Sequence, residues 1–282
     1  MFNHTVVNEC ITFLNDPSRN QWYREKLKNI CKDRVVFEIG CGAGILAAYA
    51  LEFGARHYYG VDIRSNRAKF TADVLNKLGY KDRSTVWCAD FVQLRTDDMP
   101  ANVDILLCEQ VGSQWQNNFT IKQFWTHAKQ VLPKSFTSLP DQWAVDAYVY
   151  LGDLSNPLPE YQPQLLLQDP LLPQRYYQTL QNTNFVQPRQ VIKNVIKLTP
   201  NACENKLEFI LDLREYASAT VVLSDHISYQ EDMCISSSAT TDWPAPTKIV
   251  IAKANSIIKF TWNPENRNLP DYRCGFWTYQ PC

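Results

Sequence analysis

A short apolar run that is followed at once by three closely spaced glycines constrains the fold of this chain more than any other feature. The run between Arg34 and Gly40 reads VVFEI, further glycines stand at 42 and 44, and an apolar segment with helical spacing comes next. A short β-branched run that stops at glycine is typical of a buried parallel strand. Glycines after such a strand let the backbone pass close to a ligand at the carboxyl edge of the sheet. The pattern therefore predicts a strand, a ligand-binding loop and a helix in succession.

The alternation of strand and helix continues through the first half of the chain. HYYGVD predicts a second strand that ends at Asp62, STVWCAD a third that ends at Asp90, and VDILLCE a fourth that ends at Glu109. Helical segments that close at glycines separate these strands, and two more helices are predicted in residues 5–30. Strands that alternate with helices at this spacing indicate an α/β fold with a doubly wound, Rossmann-like parallel sheet.

The second half of the chain has a different pattern. Prolines and glutamines become frequent after residue 156, and the later segments KLEFILDLREY, ATVVLSDHISY and PTKIVIAKANSIIKFTW are rich in β-branched and aromatic residues. Such segments, separated by turn residues, predict an antiparallel β-barrel or sandwich. We therefore expect a cofactor-binding domain with N-terminal helices at 1–150 and a β domain at 151–282, in which 156–190 is an arm or connector.

Acidic residues at the carboxyl edge of the predicted sheet indicate which ligand the glycine loop holds. Asp62 is placed to accept hydrogen bonds from two ribose hydroxyls. Asp90 is placed to accept one from the amino group of adenine, with Phe91 or a neighbour against the ring. Glu38 can bind the amino end of a methionine zwitterion. Together they favour S-adenosylmethionine as the ligand.

A dinucleotide site is the main alternative for the same loop. Gly42, Gly44 and Ala47 satisfy the G-x-G-x-x-A pattern of dehydrogenases. Two features argue against it: Glu38 would repel a pyrophosphate, and no dehydrogenase-type second half follows.

Several motifs resemble those of the protein arginine N-methyltransferases. The resemblance extends over residues 10–150, and its first motif fits the pattern L-x-D-x-x-R-N-x-x-Y of the monomethylating branch. The motifs are FLNDPSRNQWY at 13–23, FEIGCGAGIL at 37–46, YGVDIRS at 59–65, CEQVG at 108–112 and FTSLPDQWAVDAYVY at 136–150.

The resemblance implies a class I methyltransferase domain followed by a β-barrel, with S-adenosylmethionine as the methyl donor. It further implies that Arg19 pairs with the carboxylate of the cofactor, which a guanidinium can do through two hydrogen bonds. Tyr23 would close over the site. Glu109 would hold the guanidinium of the acceptor arginine and orient its nitrogen toward the methyl carbon. Asp16 matches an acidic residue of the family, and it could equally be a helix N-cap.

The sequence departs from the family at two positions that matter for the acceptor. The second acid of the family's acidic hairpin would lie nine residues after Glu109, where this chain has Asn118. Trp115 lies between the two, where its ring could stack on a cationic or planar substrate. The Thr-His-Trp loop of the family has no histidine here, and His226 could replace it only in a rearranged barrel.

Three interpretations of these departures stay open. The chain is a methyltransferase for arginine in a protein or peptide, a methyltransferase for another nucleophile such as a small amine, or an inactive relative that serves as an interaction or regulatory module. Family members often dimerise through an arm, which adds a homodimer to the expectations. The candidate residues are Arg19, Glu38, Gly40, Cys41, Gly42, Gly44, Asp62, Asp90 and Phe91 for the cofactor, and Tyr23, Glu109, Trp115 and Asn118 for the acceptor.

Charge and cysteine content argue against several other classes. The 28 basic and 29 acidic residues give a net charge of −1, which disfavours nucleic acid or a membrane surface as principal partner. The four histidines have no paired spacing, so no metal is expected. The nine cysteines are scattered and form no CxxC pairs, which favours free thiols in a reducing compartment. We therefore expect a cytoplasmic or nuclear protein.

Overall fold

The computed structural model describes residues 4–109, 118–132, 135–151, 190–202, 208–233, 247–251, 254–263 and 276–282. Two helices precede the first strand, as predicted: α1 spans His4–Leu14 and α2 spans Pro17–Ile30. Asp16 is the N-cap of α2, where its side chain accepts a hydrogen bond from the backbone N–H of Arg19 at 3.0 Å. This satisfies one of the donors that a helix leaves unpaired at its start. Of the two roles considered for Asp16, the structure thus assigns the N-cap.

A parallel five-stranded sheet forms the first layer, in the order β3-β2-β1-β4-β5. Every residue of β1 is buried, because the strand lies in the middle of this sheet. The short strand β5 was not predicted, since three residues carry too little periodicity. The strands are β1 Val35–Ile39, β2 His57–Asp62, β3 Ser84–Cys88, β4 Ile105–Leu107 and β5 Thr137–Leu139, and the helices are α3 Ile45–Glu52, α4 Ser65–Lys77 and α5 Asn118–Val131.

The ends of the strands agree with the prediction for β2 and differ for two others. Strand β2 ends at Asp62, as predicted. Strands β3 and β4 end at Cys88 and Leu107, two residues before Asp90 and Glu109. Both acidic residues therefore follow the hydrogen-bonded part of their strands, at the carboxyl edge of the sheet.

The described residues of the second half form two antiparallel sheets, which confirms the predicted fold class. One sheet has the order β10-β9-β6-β7 with β11 also paired to β9, and the other has the order β13-β12-β8. Their strands are β6 Gln142–Leu151, β7 Gln190–Leu198, β8 Glu208–Asp212, β9 Ala219–Tyr229, β10 Asp232–Met233, β11 Thr247–Ile251, β12 Ile257–Asn263 and β13 Phe276–Pro281.

The change from the parallel to the antiparallel sheet falls between Leu139 and Gln142. Strand β6 pairs with β9 from Gln142 to Leu151, so residue 150, where a boundary was predicted, lies inside this strand. The alternating pattern of β6 follows directly on the last parallel strand, and no composition change marks the transition. The predicted connector at 156–190 lies outside the described residues except for its last position.

Candidate cofactor and acceptor site

The glycine loop between β1 and α3 adopts a conformation that needs glycine. Gly40, Gly42 and Gly44 have φ angles of 77°, 54° and 79°, a region that other residues rarely adopt. A Cβ atom at Gly44 would lie 3.0 Å from Cγ2 of Thr71 on α4. The Thr71 hydroxyl donates to the carbonyl of Gly42 at 3.0 Å, which fixes the loop against α4. The glycine loop is therefore fixed between the end of β1 and helix α4.

Asp62 connects this loop to the end of β2. Its Oδ2 accepts a hydrogen bond from the backbone N–H of Gly42 at 3.0 Å, and its Oδ1 accepts one from the N–H of Arg64 at 2.9 Å. The side chain is 6% exposed. Because a carboxylate oxygen can accept more than one hydrogen bond, both atoms keep capacity for ribose hydroxyls.

A cavity of about 170 Å³ lies at the edge of the sheet beside Asp62. Of the predicted residues, Gly40, Asp90 and Phe91 also line it. Asp90 caps a short helical turn by accepting the N–H of Val92 at 3.2 Å. The cavity has the position expected for the adenosine part of the cofactor.

Two aromatic side chains, Phe91 and Phe124, line this cavity. Phe91 is 3% exposed, and its ring lies 5.7 Å from that of Phe37 and 5.8 Å from that of Phe124. Phe124 of α5 also lines the cavity, and sequence reasoning missed it. No motif predicted the helix that carries Phe124, so nothing in the sequence placed this residue at the cavity.

Glu38 is held under the loop by a tyrosine. The Tyr58 hydroxyl donates to Oε2 of Glu38 at 2.6 Å, and both side chains are buried. Burial raises the pKa of Glu38 to about 8, while the Tyr58 hydrogen bond and nearby Arg19 act in the opposite direction. A cation placed beside this carboxyl would favour its charged form. The role predicted for Glu38, to bind an amino group, therefore fits its surroundings.

Arg19 and Glu109 were predicted to bind cofactor and acceptor separately, and in the structure they bind each other. The Nε of Arg19 donates to Oε1 of Glu109 at 2.6 Å, and its Nη2 donates to Oε2. The side chains are 3% and 11% exposed. The pairing involves two parallel hydrogen bonds, the geometry in which guanidinium and carboxylate groups interact most strongly.

The guanidinium of Arg19 is also fixed from its other sides. It lies over the rings of Phe13 and Tyr23, with 5.3 Å and 5.0 Å to the centroids. Its Nη1 donates to Oδ1 of Asn20 at 2.6 Å, and the Asn20 amide donates to the carbonyls of Phe13 and Leu14 at the end of α1. Asn20 and Phe13 belong to the first motif, but no role was predicted for either residue. Tyr23 is fully buried beneath Arg19.

The remaining candidates differ in how far the structure describes them. Cys41 is 3% exposed, and burial raises the pKa of its thiol, so it behaves as a small apolar residue of the loop. Asn118 is the first residue of α5. Trp115 lies outside the described residues. His226 lies on β9 opposite Ala144, where burial lowers its pKa.

Within the described ranges of the chain, no group of three or more His, Cys, Asp or Glu residues could hold a metal ion. The helices in the same part of the chain are too short or too polar to cross a membrane.

A family model and several curated proteins match part of this chain. Residues 3–110 match the family model described as ribosomal protein L11 methyltransferase (PrmA). Protein arginine N-methyltransferase 1 of Saccharomyces cerevisiae is 30% identical over 115 residues, which cover 39% of this chain and 31% of the relative. Protein arginine N-methyltransferase 2 of Dictyostelium discoideum is 34% identical over 96 residues, 34% of this chain and 17% of the relative. The chain spans about a third or less of the length of these curated relatives.

Solved structures share the fold over nearly the whole chain. The PRMT6–SAH crystal structure matches with a TM-score of 0.66 at 14% identity, covering 98% of this chain and 100% of that chain. The Trypanosoma brucei PRMT1 enzyme-prozyme heterotetrameric complex with AdoHcy matches with a TM-score of 0.59 at 15% identity, covering 97% of each chain.

The structure combines a Rossmann-like domain, with a glycine loop at the carboxyl edge of its parallel sheet, and antiparallel sheets. The curated relatives confirm the resemblance of this chain to the protein arginine N-methyltransferases, and the solved structures share its fold. Membership of the monomethylating branch stays a prediction.

Proposed function

We propose that this protein is an S-adenosylmethionine-dependent methyltransferase that modifies arginine in a protein or peptide. The observation that carries the proposal is the contact of the Glu109 carboxylate with a guanidinium, that of Arg19, through two hydrogen bonds. A guanidinium is the chemical group of the proposed acceptor. The contact lies at the same sheet edge as the glycine loop and Glu38.

The charges at this edge suit the two ends of a methionyl zwitterion. Arg19 offers a guanidinium for a carboxylate, and Glu38 offers a carboxyl group for an ammonium. Asp62 and Asp90 stand at the side where an adenosine would lie. The solved PRMT6–SAH structure supports the same assignment, since its fold covers 98% of this chain.

Binding of the cofactor would then prepare the acceptor site. A cofactor carboxylate that pairs with Arg19 competes with Glu109 for the same guanidinium. We infer that Glu109 is released by this exchange and becomes available to an arginine of the substrate. The unpaired carboxylate can then hold the acceptor through two hydrogen bonds and aim a nitrogen lone pair at the methyl group.

The chemical step needs little more than this positioning. S-adenosylmethionine supplies a methyl group on a sulfonium, which departs with the bonding electron pair as a neutral thioether. Glu109 lowers the cost of the positive charge on the methylated guanidinium, and the nitrogen then loses one proton to solvent. Orientation and charge placement of this kind account for a large part of the acceleration in such transfers.

Asn118 favours a second candidate function. An amide at this position brings no negative charge, so a guanidinium would lose one charge-assisted pair of about 1.5 to 3 kcal/mol. A smaller or less strongly charged nucleophile, such as a simple amine, would lose less. An inactive relative that binds the cofactor as an interaction module is the third candidate.

We also propose that the protein is a homodimer and that it resides in the cytoplasm or nucleus. Light scattering would test the first proposal, and localisation in cells would test the second.

Calorimetric titration with S-adenosylhomocysteine tests the cofactor site. We expect binding by the unaltered protein, loss of binding in Asp62→Ala, and no binding of NAD. An equal response of both proteins to S-adenosylhomocysteine would refute the site, and binding of NAD instead would favour the dinucleotide alternative.

Transfer to arginine peptides tests the acceptor. Mass spectrometry should detect the addition of methyl groups. Glu109→Gln should abolish the transfer but should not weaken binding of S-adenosylhomocysteine, because an amide competes less than a carboxylate for Arg19. Transfer to small amines but not to arginine would favour the second candidate, and cofactor binding without transfer to any acceptor would favour the third.

A further inference from the structure

Tyr58 on β2 contacts Glu38, an acidic residue of the proposed cofactor site on the neighbouring strand β1. Glu38 on β1 stands opposite Gly60 on β2 in the parallel pairing. Tyr58 lies two residues before Gly60, on the same face of the sheet, because side chains alternate along a strand. Its ring passes over Gly60, and its hydroxyl donates to Oε2 of Glu38 at 2.6 Å.

Gly60 provides the space for this reach. A Cβ atom at Gly60 would lie 2.5 Å from the Tyr58 hydroxyl oxygen, 2.9 Å from Cε1 and 3.0 Å from Cζ. Gly60 is absent from the glycines with positive φ, so its backbone does not require glycine. The Tyr58 side chain is fully buried. The missing side chain at position 60 therefore forms a slot that fits the end of the tyrosine.

We propose that Tyr58 is a positioning residue that orients the Glu38 carboxyl group toward the amino group of the methionyl end of the cofactor. The proposal rests on the function proposed above. One oxygen of Glu38 is held by the hydroxyl, and the other is then directed to the ligand. Neither Tyr58 nor Gly60 was a candidate on sequence grounds, because a tyrosine inside an apolar strand has the pattern of a core residue.

The hydroxyl also favours the charged form of Glu38, which an ammonium group needs. Burial is the largest influence and raises the pKa of Glu38 to about 8, and the hydrogen bond from Tyr58 lowers it. Affinity for a ligand with an amino group should therefore rise with pH until Glu38 has lost its proton. The titratable and charged groups that face Glu38 are Arg19 on α2, Cys41 in the glycine loop, Tyr58 and Asp62 on β2, and Glu109 after β4.

Two ligands separate this role from a general effect on the fold. S-adenosylhomocysteine has the amino group, and S-(5′-adenosyl)-4-thiobutanoate keeps the carboxylate and lacks only that group. Tyr58→Phe should bind the first ligand about 10-fold more weakly at pH 7, as the loss of a hydrogen bond to a charged group predicts, and the second within about twofold. At pH 9 the deficit of the variant should shrink, because more of its Glu38 is then ionised.

Matched variants complete the calorimetric experiment. Tyr59→Phe removes the same atom one residue later, from a half-buried side chain on the other face of the sheet, and should leave both affinities unchanged. In a Glu38→Gln background, Tyr58→Phe should have no further effect on S-adenosylhomocysteine, since the tyrosine acts through the glutamate. Gly60→Ala should reproduce the loss by displacing the hydroxyl.

The possible results distinguish failure of the positioning role from failure of the proposed function. If the unaltered protein binds neither ligand, the proposed function fails. If it binds S-adenosylhomocysteine and Tyr58→Phe weakens both ligands equally, or weakens neither, the positioning role is wrong while the proposed function stands. The ratio of the two affinities is measured on one sample, so partial unfolding of a variant does not change it.

Discussion

Replacing Arg19 by alanine tests how strongly the pair with Glu109 stabilises the unliganded protein. The change removes two hydrogen bonds to the carboxylate and leaves Glu109, which is 11% exposed, without its cation. Removal of one partner from a buried pair costs about 3 to 5 kcal/mol. Because the Glu109 side chain retains some access to water, we expect the lower end, about 3 kcal/mol. Loss of the contacts with the rings of Phe13 and Tyr23 adds to this.

The measurement is urea unfolding followed by circular dichroism, with the slope of the transition held in common between variants. Arg24→Ala is the matched control: Arg24 stands on the same helix and pairs with Glu52, but these side chains are 53% and 47% exposed. Such a surface pair contributes at most about 1 kcal/mol. The double variant Arg19→Leu, Glu109→Leu should recover most of the loss, because no uncompensated charge is left buried. A cost for Arg19→Ala no larger than that for Arg24→Ala would refute the reasoning.

Three further predictions follow from the site. Gly44→Ala should destabilise the protein by about 1 to 2 kcal/mol in the same urea assay, since φ is 79° and the new Cβ would press on Thr71; equal stability would contradict the loop geometry. Asn118→Glu should raise turnover of an arginine peptide by about tenfold by adding a charge-assisted pair, and unchanged or lower turnover would count against its assignment to the acidic hairpin. The unliganded protein should lose stability as pH rises from about 5 to 8, because the folded state holds the proton of Glu38 up to a pKa of about 8. Glu38→Gln should reduce that loss in thermal unfolding, and an identical pH dependence would exclude Glu38 as its source.

Features of the protein that depend on a single strand, helix or turn could be predicted from the sequence. The run VVFEI can be buried on both faces only as a central parallel strand, and the glycines after it permit a loop that bulkier residues would strain. Asp62 at the end of β2 follows from the same pattern, since carboxyl ends of parallel strands meet at one edge. The antiparallel second half was predictable for a similar reason, because β-branched and aromatic segments between turns have few other solutions.

Tertiary structure alone decided which of these groups meet. Arg19 and Glu109 stand 90 residues apart, and no periodicity could reveal that they pair with each other. The reach of Tyr58 to Glu38 depends on strand register and on the empty volume over Gly60, which exist only once the two strands are paired. A sequence fixes the torsional and burial preferences of each segment, whereas contacts between distant side chains depend on how whole elements pack.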